Sequence, residues 1–278
     1  MKECIGSYFI KNGKKLPVED FDDKMIYEGE SIYEVLRMVG ETPLFFKDHY
    51  NRLVNSVLNR KKTILSNYDD LRENIKTLAK TGKPNEVNLK IVFNYNNEKT
   101  NHLIYFIKAS YPSERQYKEG VKGILFRAER NDPASKVVHK ELKLLVESAL
   151  FSENTHEALL VNDQNLITEG SRSNIFFIKN NIVYTAPDNL VLGGITRKRL
   201  INLCVENGIV LRYECVNADE IGEFDSVLMS GTSPILLPFK YVDNFSFDVA
   251  NPLIEKLRSM FMRQAEQSVN DFNADLLT

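Results

Sequence analysis

Short apolar stretches separated by polar turns recur along the chain, a pattern typical of antiparallel strands. Asn12-Gly13 lies between the extended residues of Ser7–Leu16 and favours a type I′ hairpin turn, because both central residues of that turn need positive φ. Gly40-Glu41 divides a second pair of apolar stretches within residues 31–46. Further polar turns fall at residues 94–101, 162–165 and 179–181. The pattern therefore indicates mixed sheets with much antiparallel strand and not a run of βαβ units.

Helical spacing of apolar residues predicts helices between these strands. We expect one helix after an N-cap at Asp48, and others over residues 68–80, 142–153, 196–206 and 252–264. Two of these helices have a predicted apolar side. This side comprises Leu144, Leu145 and Ala149 in the helix over 142–153, and Leu200, Leu203 and Cys204 in the helix over 196–206. Gly208 follows the second of these helices as its C′ residue.

A length of 278 residues suits two domains of ordinary size. Residues 111–120 break every periodicity, so we place the domain boundary there. We expect an N-terminal α/β domain over residues 1–112, a linker over 113–119 and a C-terminal α/β domain over 120–278. The predicted fold class is therefore α/β with mixed (α+β) sheets in two domains.

Charge and hydropathy exclude several classes of function. Lysine and arginine number 36 and aspartate and glutamate 38, a formal net charge of −2, so we expect no nucleic-acid partner. No apolar run approaches the ~18–20 residues of a membrane span. The four histidines lack the spacing of metal ligands, and we expect no metal site.

The first residues and the cysteines indicate a cytoplasmic protein. Met1–Cys4 holds an acid directly after a lysine and no apolar core of a secretory signal follows. The other two cysteines, Cys204 and Cys215, are distant from Cys4 in sequence and form no CxxC motif. We expect neither a disulfide framework nor a zinc knuckle.

Glycine and hydroxyl side chains are concentrated in three short stretches: Thr168–Asn174, Gly193–Arg197 and Ser230–Pro234. Such stretches offer backbone N–H and O–H donors without bulk, which is the chemistry of an anion site. Thr196 begins a predicted helix, where a bound phosphate is favoured. Two plainer interpretations remain open: Thr196 as a simple helix N-cap and residues 231–234 as a plain turn.

Four motifs in this order resemble the class IV aminotransferases, the fold-type IV family of pyridoxal-phosphate enzymes. The family's glycine-rich TEG-S-S-N stretch matches Thr168–Asn174 and its GITR matches Gly194–Arg197. Its H-x-x-R-L helix start matches His49–Leu53, and its YEV-x-R strand matches Tyr33–Arg37. The resemblance runs from residue 27 to about residue 238. It implies the two-domain fold of D-amino-acid aminotransferase, a pyridoxal 5′-phosphate cofactor and a homodimer.

The resemblance also implies roles for individual residues. Arg52 is expected to bind the cofactor phosphate, since a dianion suits a guanidinium that never deprotonates. Ile195, Thr196 and Thr232 are expected to complete the phosphate site. Glu169 is expected at the pyridine nitrogen, where a carboxylate favours the protonated, electron-withdrawing ring.

The Schiff-base lysine has two candidates in this sequence. An ungapped match of the following helix and strand places Lys136 on the family position, 33 residues before Glu169. Lys140 would require deletion of about one helical turn, ~4 residues. The resemblance implies that Lys136 binds the cofactor and also carries the α-proton as the catalytic residue. It also implies that Tyr33 contacts the substrate, although a buried strand aromatic fits its residue type equally well.

The sequence departs from two branches of the family. D-amino-acid aminotransferases carry an arginine and a histidine, two residues apart, that bind the substrate carboxylate; residues 94–102 contain no arginine, so this partner is unassigned and D-specificity is not supported. Glu141 replaces a cofactor-contacting tyrosine of branched-chain enzymes.

The leading interpretation is an aminotransferase acting on an amino acid and a 2-oxo acid. The alternatives are a lyase of the aminodeoxychorismate type and a non-catalytic binding module on the same scaffold.

Overall fold

The computed structural model describes residues 3–81, 84–96, 99–130, 136 and 140–274. The chain divides into two compact units. Unit 1 comprises residues 1–111, 135–138 and 264–278, and unit 2 comprises residues 112–134 and 139–263. Residues 113–119, the expected linker, belong to unit 2 and include helix α4 (Glu114–Glu119). Whether 1–112 and 120–278 act as separate domains stays a prediction.

Unit 1 is built on an antiparallel sheet with the strand order β2-β1-β6-β5-β3-β4. Within the described residues its strands are β1 (Ile5–Lys11), β2 (Lys14–Pro17), β3 (Glu30–Val39), β4 (Thr42–Pro43), β5 (Val87–Tyr95) and β6 (Thr100–Lys108). Asn12 (φ 50°) and Gly13 (φ 76°) form the tight turn between β1 and β2, as their sequence predicts. The predicted hairpin around Gly40 is confirmed by the pairing of Val39 with Thr42.

The first α-helix of unit 1 packs on one face of this sheet, and the second and third pack on the opposite face. They are α1 (Lys24–Tyr27), α2 (Phe46–Asn59) and α3 (Tyr68–Lys80), and α3 has the predicted bounds. The predicted N-cap at Asp48 is wrong, because α2 begins at Phe46 and Phe45 precedes it with φ 54°. Asp48 lies in the first turn instead, where a carboxylate interacts favourably with the helix dipole.

The alternation of side chains along β3 separates two sets of residues. Ile32 and Leu36 pack with Leu53 of α2 and Ile75 of α3 in one core cluster. Tyr33 points to the other face, where a second cluster forms. Because a slip of one residue would exchange these faces, the register of β3 with β5 determines which side chains meet α2.

Unit 2 contains a mixed sheet with the order β12-β11-β10-β14-β15-β7-β8-β9-β13 and with β16 beside β15. The pairs β7–β8, β7–β15 and β11–β12 are parallel. Its described strands are β7 (Val121–Arg127), β8 (Glu157–Val161), β9 (Leu166–Gly170), β10 (Asn174–Lys179), β11 (Ile182–Thr185), β12 (Leu211–Tyr213), β13 (Val216–Asn217), β14 (Ser226–Gly231), β15 (Ile235–Val242) and β16 (Phe245–Ser246). The sequence predicts β8–β11 and β14 but not β7 or β15.

The remaining helices are α5 (Lys140–Ser152), α6 (Ile195–Glu206) and α7 (Pro252–Ala274). The α5 side expected to be apolar is not the buried one, because Leu144 and Leu145 are exposed while Val146 and Leu150 are buried. In α6 the predicted inward residues Leu200, Leu203 and Cys204 are buried. Helix α7 continues ten residues beyond the predicted end and contributes residues to both units. None of the helices that the structure describes has the length and hydropathy of a membrane span.

Gly208 terminates α6 as predicted, with φ 65° and open space around the position of a Cβ atom. We predict that Gly208→Ala lowers the free energy of unfolding by about 1 kcal/mol, because a Cβ atom disfavours the left-handed conformation. Gly208→Asn tolerates this conformation better and is expected to lose less. Urea denaturation of the three proteins measures both differences. Equal stability of wild type and Gly208→Ala would contradict the prediction.

Candidate active site

A buried carboxylate organises the charged side chains of unit 1. Glu34 of β3 accepts hydrogen bonds from Arg52 at both oxygens, with Nε to Oε1 and Nη2 to Oε2 each 2.7 Å. His49 Nδ1 lies 2.6 Å from Oε2 of the same carboxylate. His49 and Arg52 are three residues apart on α2, so both side chains face β3. The side-on pair with Glu34 holds the plane of the Arg52 guanidinium.

The charge states of this cluster follow from its burial and its partners. Burial raises the pKa of Glu34, but the charge and hydrogen bonds of Arg52, together with the bond from His49, outweigh it and lower the pKa to about 2. Burial lowers the pKa of His49 from its ordinary value. Glu34 is therefore an acceptor only, and a neutral His49 donates to it through Nδ1–H.

Lys136 lies beside this cluster, and its carbonyl oxygen accepts a hydrogen bond of 3.1 Å from the backbone N–H of Tyr33. Its Nζ is 5.2 Å from the centroid of the Tyr33 ring, at cation–π distance. The Lys136 charge also lowers the pKa of His49. Unit 1 thus brings together three residues that the sequence singled out, Tyr33, Arg52 and Lys136. Lys140, the alternative lysine, is the first residue of α5 in unit 2.

In unit 2, Glu169 is a buried carboxylate near the end of β9. Its Oε2 accepts a 3.1 Å hydrogen bond from the backbone N–H of Leu192 and lies 3.5 Å from Asn174 Nδ2. Asn174 also donates to the carbonyl oxygen of Leu192 at 2.9 Å. Arg130 Nε lies 3.2 Å from Glu169 Oε1. Glu169 is therefore connected to the segment that precedes α6.

A second buried carboxylate shapes the loop after Glu169. Glu157 Oε1 accepts from Ser171 Oγ (2.5 Å), Ser171 N (3.1 Å) and Ala158 N (2.9 Å), and its Oε2 accepts from Ser173 Oγ (2.9 Å). The two serines of the glycine-rich stretch are thus held by one carboxylate that lies outside the motif. Glu157 positions the turn between Glu169 and Asn174.

The start of α6 presents backbone N–H groups without a side-chain cap. Ile195 is its first residue and Gly194 the N-cap, so the interpretation of Thr196 as the N-cap is wrong. A Cβ atom on Gly194 would lie 2.1 Å from Asn174 Oδ1, which explains why a glycine is needed. The uncapped donors and the helix dipole favour an anion at this end.

Arg197 and Thr232 complete the polar residues of this region. Arg197 is buried and donates to the carbonyl oxygen of Ala186 at 2.6 Å and to Asp188 Oδ1 at 2.5 Å, which anchors the segment before α6. Thr232 is half-buried in the turn between β14 and β15. Because Ser230 of β14 pairs in register with Asn174 of β10, the Thr232 turn follows at the same end of the sheet.

Comparison with known proteins agrees with these motifs. The family model for amino-transferase class IV matches residues 31–242. The chain belongs to this family. D-alanine aminotransferase of Listeria monocytogenes is 26% identical over 98% of both chains. Branched-chain-amino-acid aminotransferase of Pseudomonas aeruginosa is 30% identical over 40% of this chain and 37% of its own.

Solved structures of an aminotransferase and of a lyase share the fold. Branched-chain amino acid aminotransferase of Escherichia coli superposes with a TM-score of 0.82 at 22% identity and covers 94% of this chain and 95% of its own. A putative 4-amino-4-deoxychorismate lyase of Legionella pneumophila gives a TM-score of 0.74 at 23% identity and covers 85% of this chain and 91% of its own. These likenesses confirm the predicted fold-type IV class with mixed sheets.

Sequence reasoning did not assign the residues that hold the predicted ones in place. Glu34 and His49 lie within the matched motifs, beside Tyr33 and three residues before Arg52, so their spacing was a usable signal. Glu157 and Arg130 lie outside the motifs and carry no local signal. Among the described residues, no group of three or more histidine, cysteine, aspartate or glutamate side chains has the arrangement of a metal site.

We predict that Glu34→Gln lowers the free energy of unfolding by about 3 kcal/mol at pH 7, because the neutral amide leaves the Arg52 charge without its buried partner. The difference in the free energy of unfolding between this variant and wild type is expected to become smaller as the pH falls below 4.5. The carboxyl titrates near 4.5 in the unfolded chain and near 2 in the folded one, so its stabilisation is present above 4.5 and is lost towards 2.

Urea denaturation between pH 7 and pH 3.5 measures this difference. Glu30→Gln is the matched control on the same strand, because Glu30 forms a partly exposed ion pair with Arg60 and is expected to cost at most about 1 kcal/mol. Equal losses for the two variants, or a difference that does not change with pH, would contradict the role of Glu34.

Proposed function

We propose that the protein is a pyridoxal-phosphate-dependent aminotransferase that moves an amino group between an amino acid and a 2-oxo acid. The observation that carries this proposal is the position of the Lys136 amine against the ring of Tyr33, beside the Glu34–Arg52–His49 cluster. Family membership supplies the reaction class. Lys136 is the proposed catalytic residue, and Tyr33 the proposed substrate contact.

The donor set fits this cofactor. A phosphate suits the uncapped N–H groups at Ile195 and Thr196, the Thr232 hydroxyl and the Arg52 guanidinium. A pyridine nitrogen suits Glu169, which is buried and held by Leu192 N–H. Condensation with the cofactor aldehyde requires a primary amine, and Lys136 has one. We therefore propose these six residues as the cofactor-binding set.

When bound, pyridoxal phosphate supplies an aldehyde that condenses with amines and a ring that accepts the electron pair of the substrate's α-carbon. Lys136 would hold the cofactor through its Nζ and, when free, would act as the base that takes the α-proton of the substrate. Its conjugate acid would return that proton. Glu169, as a buried carboxylate, would favour a protonated pyridine nitrogen beside it.

The substrates proposed are an amino acid and a 2-oxo acid. Curated relatives include D-alanine aminotransferases, but the segment over residues 94–102 holds no arginine, so specificity for D-amino acids is not part of the proposal. We also expect a homodimer, as the family implies, and a cytoplasmic location. A lyase that releases pyruvate is the second candidate, favoured by the likeness to the Legionella lyase.

We predict that purified protein with added pyridoxal phosphate is yellow and is bleached by individual amino acids of one chirality, with the colour restored by a 2-oxo acid. The screen uses L- and D-amino acids one at a time and follows absorbance. Pyruvate release without an oxo-acid acceptor would identify the lyase instead. A colourless protein that ignores the cofactor would indicate the binding module.

Lysine variants test the assignment of the amine. Lys136→Ala is expected to lower kcat by about 10³-fold or more, because both the nucleophile and the base are removed. Lys140→Ala is the matched control, a lysine four positions along the chain, and is expected to keep kcat within about threefold of wild type. The opposite ranking of the two variants would overturn the assignment of Lys136.

A further inference from the structure

The sheet face of unit 1 that carries Tyr33 also carries a buried lysine, Lys90, to which the proposed reaction assigns no role. Lys90 lies on β5, where its cross-strand neighbours are Val35 of β3 and Tyr105 of β6. Its side chain is only 7% exposed. Lys90 Nζ lies 2.7 Å from Glu3 Oε1, and the Tyr105 hydroxyl donates to Glu3 Oε2 at 3.1 Å. Two donors from neighbouring strands therefore converge on one carboxylate.

This carboxylate site adjoins the proposed catalytic lysine. Lys90 Nζ is 4.9 Å from the centroid of the Tyr33 ring, and Lys136 Nζ is 5.2 Å from the same centroid. The two nitrogens are thus at most about 10 Å apart. An amino acid whose amine lies at Lys136 can therefore place one of its own carboxylates where it accepts a hydrogen bond from Lys90. Tyr33 lies beside both ends of such a substrate.

We propose that Lys90 and the Tyr105 hydroxyl bind a carboxylate of the substrate, and that Glu3 occupies this site until the substrate displaces it. The inference rests on the proposed function and names the carboxylate partner that residues 94–102 do not supply. The ligand class is a carboxylate, either the α-carboxylate or a side-chain carboxylate of an acidic amino acid.

The exchange of Glu3 for a substrate preserves the chemistry of the site. The incoming carboxylate accepts the same two hydrogen bonds and neutralises the same ammonium group, so Lys90 is never left as a buried, unpaired charge. The displaced Glu3 returns to water, and its side chain is already 24% exposed. Glu3 is therefore an internal competitor whose effective concentration raises the apparent KM.

The two members of the pair are predicted to affect KM in opposite directions. Lys90→Met raises KM by about 10- to 100-fold with little change in kcat, because a charge-assisted hydrogen bond to the substrate is lost. Lys90→Arg restores most of this loss. Glu3→Gln lowers KM by about three- to tenfold, because the competitor is removed. A merely structural ion pair would give losses of stability from both variants and no decrease in KM.

Steady-state kinetics with alanine and with glutamate distinguish the two carboxylates. An increase in KM for both amino acids in Lys90→Met assigns Lys90 to the α-carboxylate, and an increase for glutamate alone assigns it to the side-chain carboxylate. Either result supports the proposal. An unchanged KM for both overturns it, as does a KM that rises in Glu3→Gln.

Calorimetry with pyruvate and with 2-oxoglutarate gives a readout that needs no turnover. We expect Glu3→Gln to bind one of these oxo acids about three- to tenfold more tightly than wild type, and the double variant Glu3→Gln/Lys90→Met to lose that gain. No gain in Glu3→Gln, or a gain kept in the double variant, overturns the proposal. Absence of a lysine-bound cofactor, in contrast, would contradict the proposed function.

Lys76→Met is the matched control, since Lys76 Nζ is also a poorly exposed ammonium near an aromatic ring, 5.5 Å from the centroid of Phe272. Its KM is expected to equal that of wild type. An increase in KM of similar size in Lys76→Met would show that the effect of Lys90→Met is a general consequence of removing a buried lysine, and would overturn the proposal.

Discussion

The buried carboxylate of Glu34 is the interaction on which the candidate active site of unit 1 depends. It is ionised because the Arg52 charge and two sets of hydrogen bonds outweigh the cost of burial. It joins β3 to α2 through Arg52 and His49, and the neighbouring residue on the strand, Tyr33, therefore points to the opposite face. The ring of Tyr33 lies within cation–π distance of both Lys136 and Lys90.

Unit 2 uses the same principle with different partners. Glu157 holds the serines of the glycine-rich turn, and Asn174 holds the segment that leads to α6. Glu169 lies between these two fixed points and accepts from Leu192 N–H. The motif residues are therefore positioned by buried polar groups that bind backbone, and the glycine at 194 allows the close approach of Asn174. These hydrogen bonds define the conformation of the loops without regular secondary structure.

Local signals made much of the fold predictable. The Asn12-Gly13 turn and the bounds of α3 depend on neighbouring residues, so the sequence alone specifies them. Strands β7 and β15 depend on a parallel pairing between residues more than 100 positions apart, which no local pattern reveals. The buried side of α5 was mispredicted because apolar residues 144–146 are consecutive and define no single stripe.

The motifs also identified most of the polar residues of the candidate site, but not their partners. Arg52 is predicted to bind the phosphate, and the structure also pairs it with Glu34, 18 residues away in sequence, which the motifs did not reveal. Such contacts arise from tertiary packing and from the register of β3. Peptide mapping after borohydride reduction of the protein with pyridoxal phosphate is the most direct test of the account. We expect one pyridoxyl group, on Lys136. A pyridoxyl group on Lys140, or no pyridoxyl group on either lysine, would contradict the proposed role of Lys136.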